Sequence, residues 1–487
     1  MLFNSISFAI FLPIVFILYW FATKGDLKRQ NILLIIASYF FYACWDWRFL
    51  FLLIFSTLLD FYSGAKIEAA ATKQKRKIWL FLSIFVNLGF LGIFKYYNFF
   101  ANSFADALSL IGIKADLGMI NIILPVGISF YTFHGLSYVI DIYYNRIKHE
   151  KNFINYSLFV SFFPLLVAGP IERATHLLPQ IIKEREFNYA KAVNGMQQIL
   201  WGLFKKIAIA DNCAEHANAI FNNSASYSGS TLLMGAVFFT FQIYCDFSGY
   251  SDIALGTAKL FGIDLLRNFA FPYFSRDIAE FWRRWHISLS SWFRDYLYIP
   301  LGGSKGGTLI KIRNTFIIFI VSGFWHGANW TFIVWGFLNA LYIMPSIIFN
   351  TNRNHLDVVA KGKIIPSIKE FISMTVTFSM TIFAWIFFRA QDLHHALSYI
   401  KGIGVGLIDK AAYVETVNYL FWNVGFTIPI LMTLFMIVEW LGREEQFALA
   451  RIKQITSKPI RLSLYYVILL IIFFCSGKEQ QFIYFQF

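Results

Sequence analysis

The chain is 487 residues long, 57% hydrophobic and 20% aromatic but only 14% charged, an apolar excess that excludes a soluble globular domain and marks a multi-spanning membrane protein. Its net charge of +14 falls in short clusters between apolar runs, the pattern of cytoplasmic loops and not of a nucleic-acid-binding face. Cys44, Cys213, Cys245 and Cys475 lie in apolar segments without paired spacing, so neither a disulfide framework nor a zinc site is suggested and no metal is expected.

Apolar runs of roughly 17 to 25 residues suffice to cross a bilayer. Candidates lie near 5–22, 31–45, 48–64, 78–97, 119–141, 153–169, 195–211, 231–247, 316–347, 370–388, 417–441 and 461–476. Met1 to Phe21 lacks a basic leader and a small-residue cleavage site, so the first run is expected to be a retained helix. Lys24, Lys28 and Arg29 follow the first run, and Lys66, Lys73, Lys75, Arg76 and Lys77 follow the third; both loops are assigned to the cytoplasm, with Trp45-Asp46-Trp47 outside. Arg443, Arg451, Lys453, Lys458 and Arg461 are assigned inside by the same rule, so both termini are expected outside. The stretches 153–170, 248–262 and 276–300 are short or interrupted by glycine and are expected to be re-entrant or interfacial, where protein or water meets their backbone polar groups. No repeat or polar linker divides the chain, so one all-α integral-membrane domain, 1–487, is expected, with 477–487 an outer-face aromatic tail.

Polar residues stranded among these runs nominate the site. His134, in Tyr131-Thr132-Phe133-His134-Gly135, reads as a satisfied core histidine, and Gly169-Pro170-Ile171-Glu172-Arg173 reads as scaffold or tunnel wall. Asp246, Ser248 and Asp252 form a supporting polar cluster whose carboxylates are expected to pair with arginines of the 283–294 stretch, or to orient a histidine. The stretch 281–303 alternates arginine with tryptophan and tyrosine, which suits an interfacial anchor. Together with Lys305, Lys311 and Arg313, its Arg283, Arg284 and Arg294 also form a cationic, glycine-flexible rim suited to the phosphates of a donor such as coenzyme A, or to anionic lipid.

His326, in Ser322-Gly323-Phe324-Trp325-His326-Gly327-Ala328-Asn329-Trp330, is the costliest residue of the chain, because an ionisable side chain at membrane depth is rare and marks a site. It follows Arg313 by thirteen residues, so a helix would lift it about 20 Å above the rim. A desolvated imidazole is neutral there and able to take a hydroxyl proton as general base. Gly323 and Gly327 allow close approach of a substrate, while Trp325 and Asn329 offer a stacking wall and a hydrogen-bonding amide. His286 is the second candidate histidine.

Four blocks carry a resemblance: Leu124-Pro125-Val126-Gly127-Ile128-Ser129-Phe130-Tyr131-Thr132-Phe133, Ala168-Gly169-Pro170-Ile171, the Asp246 to Asp252 cluster, and 281–303 with Trp325-His326-Gly327. The chain resembles the membrane-bound O-acyltransferase (MBOAT) family, in particular its bacterial polysaccharide-acetylating branch; the specific part is His286 and His326, forty residues apart. The resemblance implies a ring of about 11 to 12 transmembrane helices, with re-entrant elements, around a central funnel. It further implies His326 as the catalytic histidine, His286 as the second family histidine, and acetyl-CoA entering from the cytoplasm as donor substrate, with no permanently bound cofactor. Location in the bacterial inner membrane follows, as does a periplasmic partner acetyltransferase of SGNH-hydrolase type that serves an envelope polysaccharide. The alternative within the family is transfer of D-alanine from a carrier-protein thioester.

The end of the chain, Phe482-Ile483-Tyr484-Phe485-Gln486-Phe487, is similar to aromatic tails of this group. Besides acting as an interfacial anchor, it offers Tyr484 as an acyl acceptor inserted from outside toward His326, its ester then passing to the partner. Outside the enzyme class, a transporter or flippase would also be polytopic and basic, but it calls for paired broken helices, which the sequence does not show, and not for two histidines. A non-catalytic scaffold leaves the cost of His326 unexplained.

Overall fold

The structure, a computed structural model, describes residues 1–115, 118–120, 124–167 and 169–485. Ala168 of the second motif, residues 121–123 of the 119–141 run, and Gln486 and Phe487 of the tail lie outside the described residues. Among the described residues the regular structure is entirely helical. They form two compact units, Met1–Gly195 with Ala254–Leu266, and Met196–Ile253 with Arg267–Phe487. No linker marks the division, because one boundary falls inside the helix Gly229–Leu260, which serves both units.

The first unit is built on capped apolar helices. Asp26, Thr72 and Asn152 each accept a first-turn amide and so start Leu27–Asp46, Lys73–Leu91 and Phe153–Ser161. Its interior joins helices through buried hydrogen bonds. Asp60 of Arg48–Ala69 accepts from Ser83 Oγ at 2.6 Å and Asn87 Nδ2 at 2.8 Å, both on Lys73–Leu91. His134 is buried as expected and its Nε2 accepts from the Glu172 amide at 3.1 Å, but its Nδ1 has no hydrogen-bond partner among the described residues, so it is satisfied at one nitrogen and not at both. Glu172, also buried, takes the Leu266 amide at 2.6 Å and the His176 ring at 2.8 Å, which fits a scaffold role for the 169–173 break.

Six helices are long and apolar enough to cross a membrane alone: Arg48–Ala69, Lys73–Leu110, Gly229–Leu260, Thr308–His326, Trp330–Ile348 and Ile368–Arg389. A seventh crossing arises if Lys410–Val424 and Thr427–Gly442, bent by 91° at Gly425, act as one. Other apolar runs are delivered in pieces. The 153–169 run breaks at Phe162, and the 195–211 run is the helix Tyr189–Leu203 continued by a wider π-turn, Phe204–Ala210. The 316–347 run is two helices, because Asn329 caps a new start with Thr331 N–H donating to its Oδ1 at 3.0 Å. The 248–262 stretch, expected to be re-entrant, lies mostly within the unbroken helix Gly229–Leu260. Gly249 there serves packing instead of a break: a Cβ on it would come within 2.8 Å of Gly202 O. The 276–300 stretch does break up, into Ile278–Arg284, Ile287–Phe293 and the π-turn Arg294–Tyr298.

In the second unit Thr308–His326 and Trp330–Ile348 pack as an antiparallel hairpin with their backbones in direct apposition. A Cβ on Gly323 would stand 2.2 Å from Phe332 O, and one on Gly336 would stand 2.2 Å from Phe319 O, the close approach that small residues permit between helices in lipid. Gly323→Ala is therefore expected to cost about 1–3 kcal/mol or more by forcing the backbones apart. Thermal unfolding in detergent measures that loss, and the accompanying shift of His326 lowers activity with it.

Candidate active site

His286 is the corner between Ile278–Arg284 and Ile287–Phe293 and has φ 42° and ψ 54°, a left-handed conformation that costs a non-glycine residue on the order of 1 kcal/mol. The neighbouring 268–270 segment pins it there: the Ile287 amide donates to Asn268 O at 2.9 Å, Ser288 Oγ donates to Asn268 Oδ1 at 2.6 Å, and the Ala270 amide donates to Arg284 O at 2.9 Å. The strained corner turns the imidazole into the protein, 1% exposed, where neither ring nitrogen has a hydrogen-bond partner among the described residues. Burial, reinforced by the adjacent His326 ring, holds its pKa well below the ordinary imidazole value, so it is neutral.

His326 is the last residue of its helix, and its Nδ1 lies 2.6 Å from Ser322 O. A carbonyl oxygen can only accept, so Nδ1 carries a proton toward it. The ring is 3% exposed and enclosed by Trp325, Trp335 and Phe388 at centroid distances of 4.8, 5.0 and 5.5 Å. Tyr484 enters from the tail. Its ring centre is 5.9 Å from His326, 6.3 Å from His286 and 4.6 Å from Phe247, and the two histidine rings are 6.5 Å apart. Burial pushes its phenol above the usual tyrosine pKa, so ionisation calls for a base close by. The arrangement brings an imidazole against a tyrosine hydroxyl inside an aromatic wall, the residue types that base-assisted nucleophilic attack needs.

At the other end of the Thr308–His326 helix opens a cavity of about 610 Å³. Arg283, Arg294 and Lys311 line it, joined by Arg353, which the sequence reading did not single out. Arg283 also holds the loop beyond it, donating to Asn352 O at 2.6 Å and His355 O at 2.8 Å. Arg294 pairs with Asp295 at 2.7 Å. The remaining rim candidates lie elsewhere: Arg284 is bound to Glu280 at 2.8 Å and to Asp357 O, Arg313 holds Leu301 O and Asn314, and Lys305 is exposed. Asn329 is occupied as the helix cap, with its Nδ2 on Gln391 O at 2.7 Å. The cavity runs inward to Phe319 and Trp282, whose rings are 5.0 Å apart, and Trp282 stands 5.7 Å from the Trp335 ring that flanks His326. An aromatic step thus separates the cationic cavity from the imidazole.

The acidic cluster finds lysines as partners, not the arginines of 283–294. Asp252 meets Lys205 at 2.5 Å, Lys205 also donates to Ser248 Oγ at 2.9 Å, and Asp246 meets Lys206 at 2.9 Å. Both lysines are buried on the π-turn Phe204–Ala210. Close by, buried Glu439 accepts from Trp201 Nε1 at 3.0 Å and Tyr244 Oη at 2.6 Å. Sequence reasoning missed Lys205, Lys206 and Glu439, although an ionisable residue inside an apolar run is the same signal that marked His326.

A sequence profile of the membrane-bound O-acyltransferase family matches residues 143–388, half of the chain, taking in both histidines. The chain is 39% identical over 400 residues to the probable alginate O-acetylase AlgI of Pseudomonas syringae, covering 81% of this chain and 74% of the relative. It is 37% identical over 439 residues to the peptidoglycan O-acetyltransferase of Helicobacter pylori, covering 84% and 80%. The likeness to the teichoic acid D-alanyltransferase of Bacillus subtilis is weaker, 28% over 288 residues, covering 56% and 71%. Transporter and scaffold readings fall against this, and the chain belongs to the membrane-bound O-acyltransferase family and is an acyltransferase.

Proposed function

We propose that this protein takes acetyl from acetyl-CoA on the cytoplasmic side of the bacterial inner membrane and delivers it outward for O-acetylation of an envelope polysaccharide. A partner acetyltransferase of SGNH-hydrolase type receives it there. One observation carries the reading: a cationic cavity at one end of the Thr308–His326 helix, and His326, His286 and the Tyr484 tail gathered at the other. The names of the relatives at 37–39% identity, an alginate O-acetylase and a peptidoglycan O-acetyltransferase, support acetyl and a polysaccharide acceptor.

On this reading Arg294, Lys311 and Arg353 meet the phosphates of the donor, and its thioester arm reaches His326 past Trp282. Nε2 of His326 takes the Tyr484 hydroxyl proton while the phenolic oxygen attacks the thioester carbon. The C–S bond then breaks, the sulfur receives the proton, and coenzyme A leaves as the thiol with an acetyl ester on Tyr484. The ester passes to an acceptor hydroxyl outside, whose proton restores the phenol. His286, neutral and turned toward the same ring, polarises or positions the group in transit. Both termini on the outer face complete the topology.

The test is ester-linked acetate in envelope polysaccharide from cells with and without the gene. Acetate should be lost on deletion and restored by re-expression; unchanged acetate overturns the assignment, and loss of ester-linked D-alanine in its place would move the protein to the other branch.

A further inference from the structure

Lys206 sits at the foot of the tail and is 0% exposed. Its ammonium is ion-paired with two carboxylate oxygens, Asp211 Oδ1 at 2.7 Å and Asp246 Oδ1 at 2.9 Å, and donates a hydrogen bond to the backbone carbonyl of Gln480 at 3.1 Å. Asp246 uses its other oxygen, Oδ2, to accept the Ile483 amide at 2.7 Å. The buried ion cluster thus grips the tail backbone at two points, one by its cation and one by its anion, on either side of Phe482. That side chain is itself 0% exposed, with its ring 4.4 Å from Tyr250 and 6.1 Å from Phe247. Asn212, one residue beyond Asp211, adds a third hold through Cys475 O at 2.8 Å.

The clasp has two physical consequences. A buried charge is tolerated only when it is paired and hydrogen-bonded, and the tail supplies the carbonyl to which Lys206 donates beside its two carboxylate partners. An undocked tail would leave both the ammonium and Asp246 Oδ2 short of a partner. The grip also ends one residue before Tyr484, which fixes the start of the turn Ile483–Phe485 and so the direction in which the phenol projects. The π-turn is the local device that makes this possible. Such turns recur at functional sites, and this one carries Lys205 and Lys206 inward side by side toward separate carboxylates.

We infer that Lys206, with Asp246, is a positioning residue that latches the C-terminal tail and sets Tyr484 against His326. The inference rests on the acceptor role proposed for Tyr484, and its readout can be separated from that role. Purified protein in detergent is exposed to a carboxypeptidase, and the extent of C-terminal trimming is read by intact mass. Wild type should resist trimming into 480–485. Lys206→Met should be trimmed through it, and so should Ile483→Pro, which removes the amide that Asp246 accepts and lies in the tail. With acetyl-CoA as substrate both variants should lose about tenfold to a hundredfold in kcat, with KM for acetyl-CoA within about twofold of wild type. Lys206→Arg, which keeps the charge, should recover part of both protection and kcat. Tails that stay protected in Lys206→Met and Ile483→Pro overturn the clasp. Full transfer by Tyr484→Phe would instead overturn the acceptor role, and trimming would still decide the clasp because it needs no catalysis.

Discussion

Replacing His326 with alanine is expected to lower acyl transfer by about 10³-fold, or about 4 kcal/mol of transition-state stabilisation. The size follows from what the ring does. Its Nδ1 proton is held by Ser322 O at 2.6 Å, which leaves Nε2 as the nitrogen that acts in the proposed step, and the hydroxyl it would deprotonate belongs to a phenol whose burial opposes ionisation. Without the base that proton has nowhere to go when the C–O bond forms. Alanine also leaves a hole between Trp325, Trp335 and Phe388, so the informative companion is His326→Gln, which keeps most of the volume and a donor for Ser322 O. Both variants should bind acetyl-CoA within about twofold of wild type, because Lys311, at the cationic end of the cavity, lies about 20 Å away along the helix, and the glutamine variant should keep a near-native melting temperature. Turnover within tenfold of wild type in His326→Gln, measured as thiol release from purified protein, removes His326 from the role of base.

How much of this was legible in the sequence depends on what kind of signal each residue carries. His326 and His286 stand out because desolvating an imidazole is expensive whatever the fold around it, and the structure brings their rings to 6.5 Å. The rim was only partly legible. Arg283, Arg294 and Lys311 line the cavity, while Arg284 and Arg313 are spent on backbone carbonyls and a carboxylate, and composition cannot tell which guanidinium finds a carbonyl once loops have closed. Asn329 looked like a ligand amide and is a helix cap, a role set by Thr331 two residues on. The break it makes divides the 316–347 run, which periodicity alone reads as continuous. The partners of Asp246 and Asp252 were hidden by distance: Lys206 and Lys205 stand forty and forty-seven residues earlier, inside a run whose mean hydropathy absorbs two lysines without trace. Gly249 shows the opposite error, since a glycine in an apolar run reads as a break until the neighbouring backbone that needs the space is seen.

Tyr484→Phe should abolish delivery of acetyl to the polymer while leaving donor binding and tail docking intact. The substitution removes one oxygen and keeps the ring. The aromatic contacts that seat it, Phe247 at 4.6 Å and Phe482 at 5.6 Å, are therefore retained, and loss of a single hydroxyl hydrogen bond costs only about 1 kcal/mol. Any collapse of activity must then come from chemistry. The covalent step gives a direct readout: wild-type protein incubated with acetyl-CoA and no acceptor should accumulate one hydroxylamine-labile acetyl group on the peptide containing 479–485, and Tyr484→Phe should accumulate none. His326→Gln should also leave that peptide unlabelled, although its Tyr484 is present, because the buried phenol stays protonated without the neighbouring base. Labelling at another residue, or polymer acetylation at the wild-type level in Tyr484→Phe, would leave the histidines as the site and make the tail an anchor.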